Sequence, residues 1–340
     1  MKAVADGVAC ATLVLKNILR LPRTASLALA SVLLAGNAAA QDFPTKTMRI
    51  IVPFPPAGAT DILARAIATQ LTRSLGQNVV IENRTGANTV IGAEVVARAP
   101  ADGHTMLFVA PSFSINPSVR SKMPYDTLKD FSAVARAGYS PLVISVHPAV
   151  PAKSVAALIE LARTRPGELT FATSSIIGGQ RLAGELFFRE VVKVDIINVP
   201  YNGGAPASTA VMGGHTMILI SNVSEAAQQV SAGRLRGIAV MSLTRADQLP
   251  AVPTLAESGY PGFEAANWYG AVVRSATPRN LIEHLSAEIG KALNASEIRE
   301  GLSRVGLAPA YLDAAEFDAL IRSEMQRYAR IVTTLKLRMD

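Results

Sequence analysis

Cysteine is all but absent from this chain of 340 residues: the single one is Cys10. A chain with one cysteine is no disulfide scaffold and must stand on its hydrophobic core. Aromatic residues make up only 5% and tryptophan occurs once, with no basic–aromatic interleaving, so the composition argues against nucleic-acid binding despite a formal net charge of +7. Histidine is equally scarce. His104, His147, His215 and His284 stand far apart in unrelated contexts, an arrangement that fits turn and surface positions better than catalysis or metal binding. Zinc-protease, nucleophile-elbow, Walker and dinucleotide-binding signatures are missing. Past residue 40 no run of about 18 uncharged apolar residues occurs, so no membrane-spanning helix is expected there.

What is present begins with a leader. Lys2, Lys16, Arg20 and Arg23 flank the short apolar stretch "ASLALASVLLAG", which leads to Ala38-Ala39-Ala40 before Gln41. A basic flank, a short apolar stretch and small residues at a cleavage point are the pattern of a secretory signal peptide, here residues 1–40. The mature chain starting at Gln41 would lose Cys10 with the leader and keep a small positive excess. At about 300 residues, with 49% hydrophobic composition over the whole chain, it is long enough for two ordinary domains.

Along the mature chain strand and helix patterns alternate. Strands are expected over 48–54, 77–84 and up to about Ala110, with helices over 61–75 and 88–99 between them. The helix 61–75 carries Leu63, Ile67, Leu71 and Leu75 on one stripe and ends at Gly76. The rhythm repeats after residue 140: a helix capped by Ser154, the strand "LTFATS", a helix over 179–190, the strand "VDIINVPY", a short helix in "APASTAVMGG", the strand "TMILISN", a helix over 224–232 before Gly233, and the strand "LRGIAVMS". "WYGAVVR" is a further strand, and a capping box at Asp313–Glu316 opens a last helix. The alternation implies parallel sheets in an α/β fold.

Four strand ends stand out. In "VPFPPAGATD" an apolar strand runs into Pro55 and Pro56, then Ala57, Gly58, Ala59, and Thr60 or Asp61 placed to cap a helix. The prolines stiffen the approach, and Gly58 is suited to close backbone approach or positive φ. "TFATSSIIGGQ" repeats the plan with Thr173, Ser174, Ser175, Gly178 and Gly179. "VPYNGGAPA" sets Tyr201, Asn202 and Gly203 between strand and helix, and "ISNVSEA" leaves Asn222 at a strand end. Helix starts carry free N–H groups and partial positive charge, and ligands of open α/β sheets sit beyond the carboxyl ends of strands. The four strand ends together suggest a cleft that grips a small anion from two sides. Asn88, Pro111, Ser112 and Trp268 complete the candidate lining. Tyr260 and Phe263, in a Pro/Gly loop, are placed to cover one edge.

The segments "FPTKTMRIIVPFPPAGATDILARAIA", "NRTGANTVIGAEVVARAPADGHTMLF", "INPSVRSKMPYDTLKDFSAVA", "LAGELF", "VPYNGGAPA" and "WYGAVV" resemble the substrate-binding proteins of tripartite tricarboxylate transporters, the Bug family, over nearly all of 43–340. The resemblance implies a two-domain type II periplasmic-binding-protein fold with a ligand cleft between the domains. Domain I would be 41–140 plus 265–340, domain II 141–264, with chain crossings near 138–146 and 264–273. It also implies a ligand carboxylate held largely by backbone groups between the first and second elbows, no cofactor and no metal, and action as a monomer. This chain departs from the family pattern in Ala57 for glycine, Arg181 for histidine, Ile176-Ile177 in the second loop, and Met217 where an acidic residue is common. Those departures suggest a more apolar pocket, with room for a longer or aromatic carboxylate.

The resulting expectation is a periplasmic receptor that binds a small organic anion, a di- or tricarboxylate, amino acid or aromatic acid, and hands it to membrane permease subunits. A ligand-dependent partner of a two-component sensor kinase would need the same cleft. An exported hydrolase is the third reading: Ser174-Ser175 would supply its nucleophile and Asp61 its base, but no histidine accompanies the serines.

Overall fold

The computed structural model describes residues 43–338. The leader and the cleavage point before Gln41 lie outside them. Residues 43–45 fall in a separate N-terminal unit as a short non-helical segment, and 46 onward forms one compact unit.

The chain opens as a parallel β/α unit. Strand β1 (Met48–Val52) leads into helix α1 (Ala59–Leu75), which buries Leu63, Ile67 and Leu71 and ends at Gly76 with φ 67°. Strand β2 (Val79–Asn83) pairs parallel with β1. Helix α2 (Val90–Ala97) and strand β3 (Thr105–Val109) follow, with β3 parallel on the other side of β1. Helix α3 (Ser112–Val119) comes next, then β4 (Phe131–Val146), a strand of 16 residues.

The second unit holds helix α4 (Val155–Thr164), whose N-cap Ser154 accepts from Ala157 N–H at 3.2 Å, and strand β5 (Thr170–Thr173). Helix α5 (Gly179–Glu185) runs on through a wider turn over 186–191. Strand β6 (Ile197–Pro200), helix α6 (Gly204–Met212), strand β7 (Ile218–Asn222), helix α7 (Val223–Ser231) and strand β8 (Arg236–Val240) complete it. Strands β6 and β7 flank β5 in parallel. Strand β9 (Ala266–Arg274), helices α8 (Arg279–Asn294) and α9 (Ser296–Arg304), strand β10 (Ala308–Leu312) and helix α10 (Ala314–Thr334) end the chain. Asp313 and Glu316 form the expected capping box.

The sheets are not purely parallel. Strand β9 is antiparallel to both β3 and β4, and β4 is antiparallel to β7 and β8. Over residues 131–141 β4 pairs with β9, and over 142–146 it pairs with β7 and β8. One strand thus serves two sheets in turn, and the crossing expected as a connection near 138–146 is itself hydrogen-bonded into a single connected path of strands. Two register irregularities, at 133–135 and 136–138, let β4 bend between its partners.

Each half has its own core. Ile51, Val90, Leu107, Phe113, Phe131, Trp268, Val272 and Phe317 pack together in the first. Leu142, Ile144, Leu158, Phe171, Phe187, Phe188 and Ile220 pack together in the second. A smaller cluster joins Ile115 and Val119 of α3, Ile177, Leu182 of α5, and Tyr328 and Val332 of α10.

Candidate functional site

The first elbow is held by one carboxylate. Asp61, in the first turn of α1, is 2% exposed. It accepts from Ala57 N–H at 3.0 Å, from Asn83 Nδ2 at 2.8 Å and from Arg65 Nε at 2.8 Å. Burial alone would raise its pKa, but these donors outweigh that and hold it below the ordinary carboxylate value. Asp61 is therefore a staple that fixes the elbow, and it is not the N-cap. The N-cap is Gly58, and no side chain caps the helix. Among the described residues the amides of Ala59, Thr60 and Asp61 donate to no protein acceptor, while Pro56 and Ala57 form the turn that leads into them. Those amides form a row of free donors at the start of a 17-residue helix.

The left-handed residue is Ala57, with φ 64°, and not Gly58, whose φ of −80° is ordinary extended backbone. Gly58 faces open space: a Cβ there meets only Pro55 O, at 3.7 Å. Pro55, Pro56 and Ala57 are exposed. Across from them, a Cβ on Gly203 would stand 3.8 Å from Pro55 Cγ. The first and third elbows face each other.

The second, third and fourth elbows are tied by side chains that the sequence reading did not single out. Gln180 is 3% exposed. Its Oε1 accepts from Ser174 N–H at 2.8 Å, and its Nε2 donates to Glu225 Oε2 at 3.3 Å. Glu225 Oε2 also accepts from Asn222 N–H at 3.3 Å. Asn267 Nδ2 donates to Asn222 Oδ1 at 2.8 Å, while its own buried Oδ1 has no donor and points at Gly179. Pro111 closes on the same glycine. Thr173 Oγ1 donates to Ser175 O and accepts from Asn198 Nδ2. Tyr201 N–H and Gly203 N–H donate to the carbonyls of Thr173 and Ser174, which leaves Asn202 exposed at the turn. Ser175 Oγ lies where a Cβ on Gly178 would fall, 2.6 Å away.

Desolvation raises the pKa of Glu225, and the bonds from Asn222 and Gln180 offset it only in part. The Tyr269 phenol is pushed well above its ordinary value, first by burial and then by the nearby charge of Glu225.

A fifth feature is the loop before α2. Gly86, Ala87, Asn88 and Thr89 all have positive φ, between 46° and 128°. Such a run is costly for non-glycine residues. The fully buried Asn116 of α3 holds it, donating to Asn88 O at 2.8 Å and accepting from Asn88 Nδ2 at 2.7 Å, and Arg120 donates to Ala87 O at 3.0 Å. Ser112 lies 3.4 Å from Thr89 Oγ1.

Several sequence-based expectations change here. Trp268 is not at the cleft: strand alternation points it into the first core, edge-on to Phe317 at 5.4 Å. Asn267 and Tyr269 take the opposite face. Tyr260 and Phe263 are partly buried and pack on Phe187 of the second core at 5.1 and 5.2 Å. Ile177 is fully buried against Tyr328 and Val332, so only Ile176 of that pair is exposed. Arg181 donates back to Ile176 O at 2.6 Å and pairs with Glu185. Met217 sits ahead of the start of β7, at the end away from Asn222. Of the four departures from the family pattern, Ala57 and the exposed Ile176 lie in the strand-end loops.

No lysine or arginine occurs in 53–61, 110–112, 173–180, 201–204 or 222–225. An anion among these loops would be held by amides and hydroxyls. A cavity of about 20 Å³ beside Gly179, room for one water, is lined by Leu182, Ala183, Phe263 and Tyr328 among others. A cavity of about 530 Å³ lies elsewhere, by Arg120, Lys336 and Arg338, and no strand-end residue lines it.

Comparison with known proteins gives a consistent picture. Residues 63–337 match the model of the tripartite tricarboxylate transporter family receptor. The chain is 34% identical to protein BugT of Bordetella pertussis, over 93% of this chain and 97% of that one. It is similar to the solved structure of R. palustris Rpa4515 with adipate, with a TM-score of 0.82 and 33% identity over 87% of this chain and 99% of that one. It is also similar to MatC from Rhodopseudomonas palustris with bound malate, with a TM-score of 0.77 and 27% identity over 85% of this chain and all of that one. The fold is that of the two-domain periplasmic binding proteins.

Proposed function

Because the chain belongs to the tripartite tricarboxylate transporter receptor family, we propose that it captures a small carboxylate in the periplasm and delivers it to the membrane permease subunits of such a transporter. The observation that carries this reading is the row of free amides from Ala59 to Asp61, on an elbow braced by Asp61 and facing Gly203. Amides at a helix start favour an anion, and the absence of any cationic side chain from these loops suits a carboxylate that must also be released. That adipate and malate are named with two similar structures supports the ligand class.

In this reading one ligand carboxylate lies on the amides of Ala59–Asp61 and on the second elbow, at Ser174, Ser175 and Gly179. Residues 41–140 with 265–340 form one lobe and 141–264 the other, and they close on the ligand about β4 and the stretch before β9. The switch of β4 from one set of partners to another at 141/142 supports this division. The protein performs no chemistry on its ligand. Mass spectrometry of the compound released when freshly purified protein is denatured tests the proposal. A small carboxylate, recovered unaltered after incubation with the protein, is expected. A neutral or cationic compound, or a ligand turned over, would overturn it.

A further inference from the structure

One face of the last helix serves two clusters. Phe317 and Ile321 of α10 are built into the first core beside Trp268 and Val272. Glu324, Tyr328 and Val332 continue the same buried stripe along the helix. Tyr328 and Val332, however, pack with Ile177 of the second elbow and Leu182 of α5. Between the two halves of the stripe Arg327 donates to Glu264 O at 3.3 Å. Helix α3 repeats the plan over a shorter length. Its Phe113 belongs to the first core, while Ile115 and Val119 join the cluster round Ile177.

In the lobe division proposed above, α3 and α10 belong to the first lobe, and Ile177 and Leu182 to the second. We propose that Ile177 is a positioning residue for ligand capture: seated among α3 and α10, it latches the second elbow to the first lobe in the arrangement that binds. The inference rests on the receptor reading above. Ile177 lies between Ser175 and Gly179 in the loop and is fully buried, whereas Ile176 beside it is 51% exposed. The hydrogen bonds of this loop run within its own lobe. Ser174 N–H donates to Gln180, Gly203 N–H to Ser174 O, Leu182 N–H to Gly178 O, and Arg181 to Ile176 O. Those bonds shape the loop; the seat of Ile177 fixes where the shaped loop stands against α3 and α10. Parting the lobes would expose Ile177, Tyr328 and Val332 to water, so burial favours the closed arrangement before any ligand arrives. Apparent affinity falls in proportion to the fraction of protein that is closed.

Truncations on the two sides of the latch test this. Ile177→Ala and Val332→Ala remove apolar volume where the lobes meet, and Ile159→Ala removes it inside the second core. Circular dichroism and urea unfolding first establish that each variant folds and how much stability it has lost; Val332→Ala, the milder change, keeps the test available if Ile177→Ala does not fold. Adipate and malate are then titrated by calorimetry into ligand-free protein. For whichever the wild type binds better, Ile177→Ala and Val332→Ala should weaken binding at least about fivefold, while Ile159→Ala stays within about twofold of wild type. Ile177→Val should recover most of the loss. Small-angle scattering of the ligand-free proteins should show a larger radius of gyration for the two latch variants than for wild type or Ile159→Ala. Folded latch variants that bind as Ile159→Ala does, or whose ligand-free radius is unchanged, would overturn the inference and leave the receptor reading standing. If the wild type binds neither acid, the ligand-free radii decide the latch by the same comparison. The receptor reading itself falls only if the compound released from purified protein is no carboxylate.

Discussion

Asp61 and Glu225 are two buried carboxyl groups whose surroundings push them in opposite directions. Asp61 is braced by three donors, and its pKa is lowered from 3.8. Its contribution to stability is complete above that value and is lost as pH falls through the lower folded value. Asp61→Asn should cost about 1–3 kcal/mol at pH 7, chiefly by mismatching buried donors; the half-exposed Arg65 adds little. Urea unfolding from pH 3 to 7 should show the wild type losing its advantage at the acid end. Glu225 has the opposite sign. Its pKa is raised from 4.5, so the folded state holds the proton more tightly and stability declines as pH rises from about 4.5 through the folded value. Glu225→Gln should flatten that decline in the same titration. Ala57, at φ 64°, is strained where glycine would not be. Ala57→Gly trades a left-handed penalty of about 1–2 kcal/mol against about 0.5–1 kcal/mol of extra unfolded-state entropy. Its midpoint should stay level or rise, and a clear loss would mean the alanine methyl is needed for packing.

At the scale of elements, α1 was legible because Leu63, Ile67 and Leu71 repeat at helical spacing and Gly76 ends the run. The observed helix starts only two residues earlier than expected. Strand β4 was not legible: 138–146 was expected as a chain crossing and not as part of a strand, yet Gly138 and Pro141 lie within β4, where it bends and changes partners. The parallel pattern failed at β9 for a related reason, since alternation gives a strand but not its direction. The helix expected over 88–99 begins only at Val90, because 86–89 has positive φ throughout. The strain of that loop is sustained by Asn116 and Arg120 of the next helix region, a contact no local pattern reveals. Asn116→Ala should orphan the Asn88 carbonyl and cost about 1–3 kcal/mol, measured by urea unfolding, with Asn88→Gly in the same background recovering part of the loss by relieving φ. The elbows themselves were legible from Pro, Gly and hydroxyl residues. Gln180, Glu225 and Asn267, which connect them, were not, because their role depends on which strand ends meet. "ANWYG" shows alternation but not which face turns to the cleft, so Trp268 was placed on the wrong side.

The protein should leave the cytoplasm and lose its leader, so N-terminal sequencing of material from a Gram-negative periplasm should begin at Gln41; Met1 on the soluble protein would contradict that. Closure of two lobes about β4 should reduce the radius of gyration in small-angle scattering when ligand is added. The central claim is narrower: the first elbow holds the ligand carboxylate with its main chain. Calorimetry on Gly58→Val and Ser174→Ala, with the ligand that mass spectrometry identifies, tests it most directly. The backbone at Gly58 accepts a side chain, with only Pro55 O at 3.7 Å, so the variant should fold, as circular dichroism will verify. Its β-branched side chain would cover the free amides, and binding should vanish. Ser174→Ala removes at most one hydrogen bond, about 0.5–1.5 kcal/mol or up to about 3 for a charged acceptor, and should weaken binding by roughly three- to a hundredfold. Unchanged affinity in a folded Gly58→Val protein would place the carboxylate elsewhere and contradict the account.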